Sequence, residues 1–128
     1  MTLPRGVRAE CHWAARQILM DRRLTQVERR SALAHELEHV HRGPFPRHAK
    51  VKEEAAVNAA AARKLVDLHA LGEALAWARH ESEAADELWI DIPTLRARLT
   101  HLRPAELRYL RGRLAHHDVD EDHHGTHP

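Results

Sequence analysis

Two histidines and a glutamate in the segment His35-Glu36-Leu37-Glu38-His39 have the types and spacing needed to bind a metal ion and activate water. On an α-helix, residues four apart point the same way, so the imidazoles of His35 and His39 can bind one zinc ion. Glu36 then lies where a general base is needed. Because the 128 residues include 13 histidines, the pattern can also arise by chance, and its surroundings must decide.

Helix-start and helix-stop signals flank this motif. Thr25-Gln26-Val27-Glu28 reads as a capping box, in which Thr25 accepts from an early backbone N–H and Glu28 reaches back, so a helix should begin near Gln26. It should end at Gly43-Pro44, because glycine suits a left-handed cap and proline cannot continue a helix. The two histidines therefore lie well inside one helix.

An apolar stripe adjoins the two histidines on this helix. Leu33, Leu37 and Val40 recur at helical spacing next to the edge formed by His35 and His39. This pattern predicts that the motif lies at the boundary between the core and a cleft, where a catalytic metal ion belongs.

A catalytic zinc site needs a third protein ligand, and the next segment offers one. Residues 48–66 read as an alanine-rich helix whose small side chains allow close approach. Glu54 is followed four residues later by Asn58, so a carboxylate could reach the metal and an amide could orient a histidine. Glu53 points about 100° away. We favour Glu54 and keep Glu53 as the alternative; His41 and His48 are weaker candidates.

The motif and its neighbours resemble the ImmA/IrrE metallo-endopeptidases, small zinc peptidases encoded beside repressors in bacteria and phages. The resemblance is carried by the segment 29–39, by the helix with Glu53-Glu54, and by Leu65-Val66, and it extends over roughly residues 16–102. It implies that His35, His39 and Glu54 are zinc ligands and Glu36 is the catalytic base. It further implies that the substrate is a helix-turn-helix transcriptional repressor.

Two features of the chain depart from that family. The family often has Glu-Ala-Asn or Glu-Ala-Asp where this chain has Ala56-Val57-Asn58. The family also has strands before the motif that form a substrate-binding sheet edge, whereas here Gln17–Met20 is the clear strand candidate. The segment 81–102 resembles the family's helix-turn-helix-like C-terminal part.

The composition predicts a mainly α fold, or α+β with a minimal, truncated strand region. Alanine, leucine, arginine and glutamate favour helices, and we expect about five. Asp67 and Ser82 are predicted N-caps, Pro93 is predicted to open a helix, and Pro104 can begin a further one. Trp77 and Trp89 are predicted to pack between helices. Residues 1–115 are expected to form a single domain, followed by a disordered tail, 116–128, rich in His and Asp.

Charge and hydropathy set limits on partners and location. The net charge of +1 gives no general attraction to nucleic acid. Arg96 and Arg98 offer few base-reading groups, so the segment 81–102 is interpreted as packing support and no nucleic-acid partner is expected. No apolar run is long enough to span a membrane, and the first residues lack a signal-peptide core, so a cytoplasmic protein is expected. Cys11, the sole cysteine, is interpreted as an incidental thiol.

The leading hypothesis from the sequence is a zinc-dependent metallo-endopeptidase that cleaves a helix-turn-helix repressor. Tyr109 and His101 are the candidates for stabilising the oxyanion. The alternative hypothesis is a catalytically weak or inactive zinc-peptidase scaffold that binds a repressor or DNA through its C-terminal helices.

Overall fold

The computed structural model describes the backbone of residues 1–125 and the side chains of residues 1–116. This part of the chain forms two strands, a short 3-10 helix and six α-helices. In chain order they are β1 (Ala9–His12), β2 (Gln17–Met20), α1 (Gln26–Arg42), the 3-10 helix (Arg47–Ala49), α2 (Lys50–Leu65), α3 (Leu68–Trp77), α4 (Glu81–Leu88), α5 (Ile92–Thr100) and α6 (Pro104–Gly125). The predicted mainly α fold with a minimal strand region is confirmed.

Helix α6 reaches into the segment 116–128, for which disorder is predicted. Its backbone is helical as far as Gly125, whereas residues 126–128 lie outside the described residues. Within residues 1–125, no helix is long and apolar enough to cross a membrane.

The two strands form an antiparallel hairpin ahead of the metal-site helices. Strand β2 has the predicted bounds, and it pairs with β1 in a register that places Ala9 opposite Met20 and His12 opposite Gln17. Strand β1 was not predicted from the sequence, where Gln17–Met20 was the clear strand candidate. The four residues of β1 mix Glu and His with Ala and Cys, which explains why neither alternation nor β-propensity marks it as a strand.

The ends of helix α1 lie where the sequence predicts them. The Thr25 hydroxyl accepts from the Glu28 N–H at 3.1 Å, and the Glu28 carboxylate accepts from the Thr25 N–H at 3.0 Å. This completes the capping box. At the other end, Gly43 has φ +87°, a backbone conformation that glycine adopts readily and residues with a side chain rarely adopt.

Side-chain caps also set the start of two later helices. Asp67 accepts from the Ala70 N–H and Asp91 from the Thr94 N–H, and Pro93 lies in the first turn of α5. The predicted N-cap at Ser82 was wrong, because α4 begins one residue earlier and His80 precedes it without a side-chain cap.

The largest apolar cluster lies in the C-terminal half of the described chain, away from the motif. Its side chains belong to helices α3 to α6 and to the segments that connect α2 to α3 and α4 to α5. They are Val66, Leu71, Ala74, Ala84, Ala85, Ile90, Leu95 and Leu110. In contrast, Leu33, Leu37 and Val40 of α1 are exposed, by 37%, 51% and 48%. The prediction that this stripe faces the core was wrong.

Helix α1 buries its small and polar face. Ser31, Ala32, Glu36, Glu38 and His39 are its buried residues, and the helix packs against α2, β1 and β2. The buried residues of α2 are Val57, Ala61 and Ala62, and small side chains of this kind favour close approach of two helices. The prediction of buried tryptophans was also wrong, because Trp77 and Trp89 are 62% and 60% exposed.

The arginines of helix α5 make internal contacts. Arg98 is buried and donates to the Val66 carbonyl at 2.9 Å and to the Glu106 carboxylate at 2.8 Å. Arg96 is exposed and pairs with Glu81. Both guanidinium groups are thus engaged in holding helices together, which agrees with the interpretation of this segment as packing support.

The lowered pKa of Glu106 predicts a contribution to stability that is lost in acid. Hydrogen bonds from Arg98, Arg63 and the Arg103 N–H hold its pKa at about 2, below the ordinary 4.5. A carboxylate whose pKa is lowered by folding stabilises the protein above its unfolded-state pKa and loses that contribution as the pH falls. We expect the free energy of unfolding to drop between about pH 4.5 and pH 2 in urea titrations. In the Glu106→Gln variant this part of the pH dependence should be missing; an unchanged pH profile would contradict the assignment.

Candidate metal centre

His35 and His39 lie one turn apart on α1 and face the same way. Their ring centroids are 4.8 Å apart, with an angle of 74° between the ring planes. His39 is buried, and its ring stacks on Phe45 at 5.8 Å between centroids. Phe45 lies in the segment that joins α1 to the 3-10 helix. The turn at Gly43-Pro44 therefore also positions the aromatic ring that stacks on His39.

Glu54 of α2 joins the two histidines. Its Oε2 lies 3.0 Å from His35 Nε2, and its Oε1 lies 2.9 Å from His39 Nε2. The three residues each offer a ligand atom, and these atoms all lie within 4.8 Å of one another. They could hold a metal ion.

Glu53 points to a different partner. Its carboxylate accepts from Arg42 Nε at 2.6 Å and from Arg42 Nη2 at 3.0 Å, at the end of α1. This bidentate ion pair lowers the pKa of the Glu53 carboxyl. The structure therefore brings Glu54, and not Glu53, to the histidines, because one residue along a helix rotates a side chain by about 100°.

The donor set suits a catalytic zinc ion. Two imidazole nitrogens and one carboxylate oxygen form the three-ligand arrangement that leaves a position for water. Ligand atoms about 2.1 Å from a tetrahedral ion lie roughly 3.4 Å apart, so the three side chains, whose ligand atoms lie within 4.8 Å of one another, would shift to hold one.

Glu36 is buried beside this group without belonging to it. It is 8% exposed and lines the same cleft as His35 and Glu54. Burial raises the pKa of the Glu36 carboxyl; the two histidines oppose this rise, and the Glu54 carboxylate adds to it. A carboxyl group with a raised pKa, next to potential metal ligands but separate from them, is suited to take up and release a proton.

The second glutamate of the motif has a structural contact. Glu38 is 5% exposed, and its carboxylate accepts from Lys64 Nζ of α2 at 2.6 Å. This ion pair joins α1 to α2 on a side of the helix different from that of Glu36. It helps to fix the orientation of the two helices that position the three candidate ligands.

A cleft of about 600 Å³ is lined by His35 and Glu54, two residues of the group, and extends along α2. The segment Gly6–Ala9 forms part of the lining, together with Asp91 and residues of α5. Alanines of α1, α2 and α5 line much of it: Ala32, Ala61, Ala62 and Ala97. Helix α5 therefore does more than support the packing of the other helices, since it also lines the cleft.

The chain matches no protein-family model, no curated protein and no solved structure. The resemblance to the ImmA/IrrE peptidases stays a prediction that rests on the motif and its neighbours.

Several residues singled out from the sequence lie elsewhere or lack the expected contact. His41 and His48 are exposed and do not join the group with His35, His39 and Glu54. Asn58 lines the cleft, but its amide makes no hydrogen bond to either histidine among the described residues.

The two candidates for stabilising an oxyanion also lie outside the cleft. The Tyr109 hydroxyl lies 3.2 Å from His69 Nδ1, and His101 Nδ1 lies 2.8 Å from the Ala97 carbonyl. Neither residue lines the cleft that contains Glu36. No role at the candidate site follows for Tyr109 or His101.

Arg8 is a cleft residue that the sequence analysis missed. Its guanidinium pairs with Glu28 of α1 at 3.2 Å and with Asp91, the N-cap of α5. It thus connects the N-terminal segment to two helices. The residues around Arg8 in the sequence do not indicate these contacts, because Glu28 and Asp91 are distant along the chain.

Cys11 of β1 is half-buried and free. Burial raises the pKa of its thiol, and the charge of Glu36 adds to the rise. A thiol with a raised pKa is a poor nucleophile, which fits the interpretation of Cys11 as incidental.

Proposed function

We propose that this protein is a zinc-dependent metallo-endopeptidase. The observation that carries the proposal is the Glu54 carboxylate, which lies within 3.0 Å of both His35 Nε2 and His39 Nε2. A buried glutamate, Glu36, lies beside this group in an open cleft. Three ligands, a separate carboxyl and access for substrate are the parts that metal-assisted peptide hydrolysis requires.

The chain's own residues account for the proton transfers. When bound, zinc polarises the scissile carbonyl and lowers the pKa of water towards about 7. Glu36 accepts the proton of the attacking water and then donates it to the leaving amine. Its burial favours the first step, because a raised pKa makes the carboxylate a stronger base.

The substrate class is inferred from the resemblance. A helix-turn-helix transcriptional repressor is the proposed substrate, which requires the peptidase to act in the cytoplasm. The open cleft supports a peptide substrate in general, because it gives an extended segment access to Glu36, His35 and Glu54.

Metal analysis combined with a cleavage assay tests the proposal directly. The protein is purified without an affinity tag, and its metal content is measured by mass spectrometry. We expect about one zinc per chain, held by the N,N,O ligand set. Removal of zinc with a chelator should abolish cleavage of a helix-turn-helix repressor, and added zinc should restore it. A metal-free protein that does not bind added zinc would contradict the proposal.

A further inference from the structure

Two side chains with free N–H donors flank Glu54 on α2. Lys50 lies one turn before Glu54 and Asn58 one turn after it, so all three share one face of the helix. They line the cleft together with His35 and Glu36. Lys50 and Asn58 are exposed, and neither forms a hydrogen bond or an ion pair among the described residues. The proposed ligands and the proposed base leave both groups unused.

The other side-chain donors of the cleft have partners or are inaccessible. The Arg8 guanidinium is held by the carboxylates of Glu28 and Asp91. The Thr94 hydroxyl donates to Asp91, and Ser31 Oγ is buried. Among the described side chains that line the cleft, and apart from the proposed ligands, the two on α2 are therefore the donors available to a substrate.

Peptide hydrolysis in this cleft creates a negative charge that a donor can stabilise. When water attacks the scissile carbonyl carbon, the new C–O bond moves the π electrons of the carbonyl group onto its oxygen, and Glu36 takes the proton of the water. The C–N bond then breaks, the carbonyl group re-forms, and Glu36 gives the proton to the amine. A donor that contacts the charged oxygen accelerates the reaction, because the substrate itself does not carry this charge.

Lys50 suits this role better than Asn58. Its ammonium group has a full positive charge and three N–H donors, and hydrogen bonds that involve an ionised group are about twice as strong as neutral ones. Four residues of α-helix span about 6 Å, a distance that the flexible four-carbon stem of lysine can bridge. The Glu54 carboxylate contacts His35 and His39, so the carboxylate nearest along the helix does not hold the ammonium group.

We propose that Lys50 is a catalytic residue, whose ammonium group stabilises the negative charge that develops on the scissile carbonyl oxygen. The proposal rests on the proposed peptidase function. It assigns to α2 a second part in catalysis, beside the proposed ligand Glu54.

Cleavage kinetics of a Lys50→Met variant test the proposal, because methionine keeps much of the length of lysine and removes its charge. The substrate is the most readily cleaved member of a random decapeptide library. We expect kcat to fall by about 100-fold, as when one donor to an oxyanion is removed, with little change in KM and in zinc content. Lys50→Arg should recover part of the loss. The matched control is Lys52→Met, since Lys52 is exposed on α2 but does not line the cleft, and its kcat should stay near that of the wild type.

Three kinetic outcomes would overturn the assignment. A kcat of Lys50→Met near the wild-type value would exclude a catalytic role. A rise in KM at unchanged kcat would make Lys50 a residue that binds the substrate equally in the ground state and the transition state. A loss of kcat in Asn58→Ala that is absent from Lys50→Met would identify Asn58 as the donor. The exposed position of Lys50 means that its replacement should leave the fold intact.

A binding measurement separates failure of this proposal from failure of the peptidase function. Methylphosphonate, a tetrahedral anion, is titrated calorimetrically into zinc-loaded Glu36→Gln protein, in which the neighbouring carboxylate cannot repel it. Adding Lys50→Met should weaken methylphosphonate binding by about tenfold, whereas adding Lys52→Met should not. Equal affinities with and without the ammonium group would overturn the role of Lys50, whether or not the wild type cleaves peptides. A Lys50-dependent affinity without any cleavage by the wild type would overturn the peptidase function and support Lys50 as the group that stabilises an anion there.

Discussion

Replacing Glu36 with glutamine is expected to lower the rate of peptide cleavage by at least about 100-fold while zinc occupancy stays near the wild-type level. The amide has the shape of the carboxyl group but cannot accept the proton of the attacking water. Zinc binding should persist because Glu36 does not belong to the group formed by His35, His39 and Glu54. Folding should persist as well, since burial disfavours the charged form of Glu36 and a neutral side chain removes that cost.

The measurement pairs single-turnover cleavage kinetics with metal analysis of the same sample. Glu10→Gln is the matched control, because Glu10 lies close enough to influence the pKa of Glu36 but does not line the cleft. Its cleavage rate should stay near that of the wild type. Cleavage by Glu36→Gln at the wild-type rate would rule out the proposed role of Glu36. Loss of zinc together with activity would instead make Glu36 part of the metal site.

Replacing Glu54 with alanine is expected to weaken zinc binding by well over about tenfold. Loss of a group that only orients a ligand weakens metal binding by about tenfold at the low end, and loss of a ligand should cost more. The expectation follows from the contacts of Glu54 with both His35 and His39. Its replacement would leave only the two histidines of α1 to hold the ion. Without Glu54, the protein supplies fewer than the three ligands that a catalytic zinc site has.

Glu53→Ala is the matched control for this second substitution. The adjacent carboxylate pairs with Arg42, so its removal breaks an ion pair that is partly exposed and should change zinc affinity little. Affinities are measured by competition with a chromophoric chelator. The full chain is used with all five tail histidines replaced by glutamine, so that they cannot bind the metal: His116, His117, His123, His124 and His127. If Glu53→Ala is the damaging variant, Glu54 is not the third ligand.

Local rules predicted the elements that hold the site. The bounds of α1 followed from Thr25, Glu28 and Gly43, because a capping box and a glycine cap are determined by residues a few positions apart. The spacing of His35 and His39 fixed their common direction, since the period of a helix is set by its own hydrogen bonds. The strand Gln17–Met20 was also predicted, whereas its partner β1 was not, because Ala9–His12 has no strand signal of its own.

The sequence alone could not decide how the helices turn against one another. Helical periodicity identified the stripe of Leu33, Leu37 and Val40 but could not say which face of α1 would be buried. The structure buries the opposite side, where Ala32 and Ser31 allow α2 to approach. Burial of a helix face depends on the shape of its neighbour, and that neighbour is distant in sequence.

The sequence by itself determined the chemistry that is available, namely two histidines and the proposed general base, Glu36, on one helix, because the repeat of the helix sets their spacing. Tertiary structure decided which carboxylate completes the group. Glu53 and Glu54 are equivalent in composition and neighbours in the chain, and the packing of α2 on α1 places one at Arg42 and the other at the histidines. It likewise decided that Arg8, Ser31 and α5 form the cleft, because contacts across α1, α2 and α5 arise only when these helices pack together.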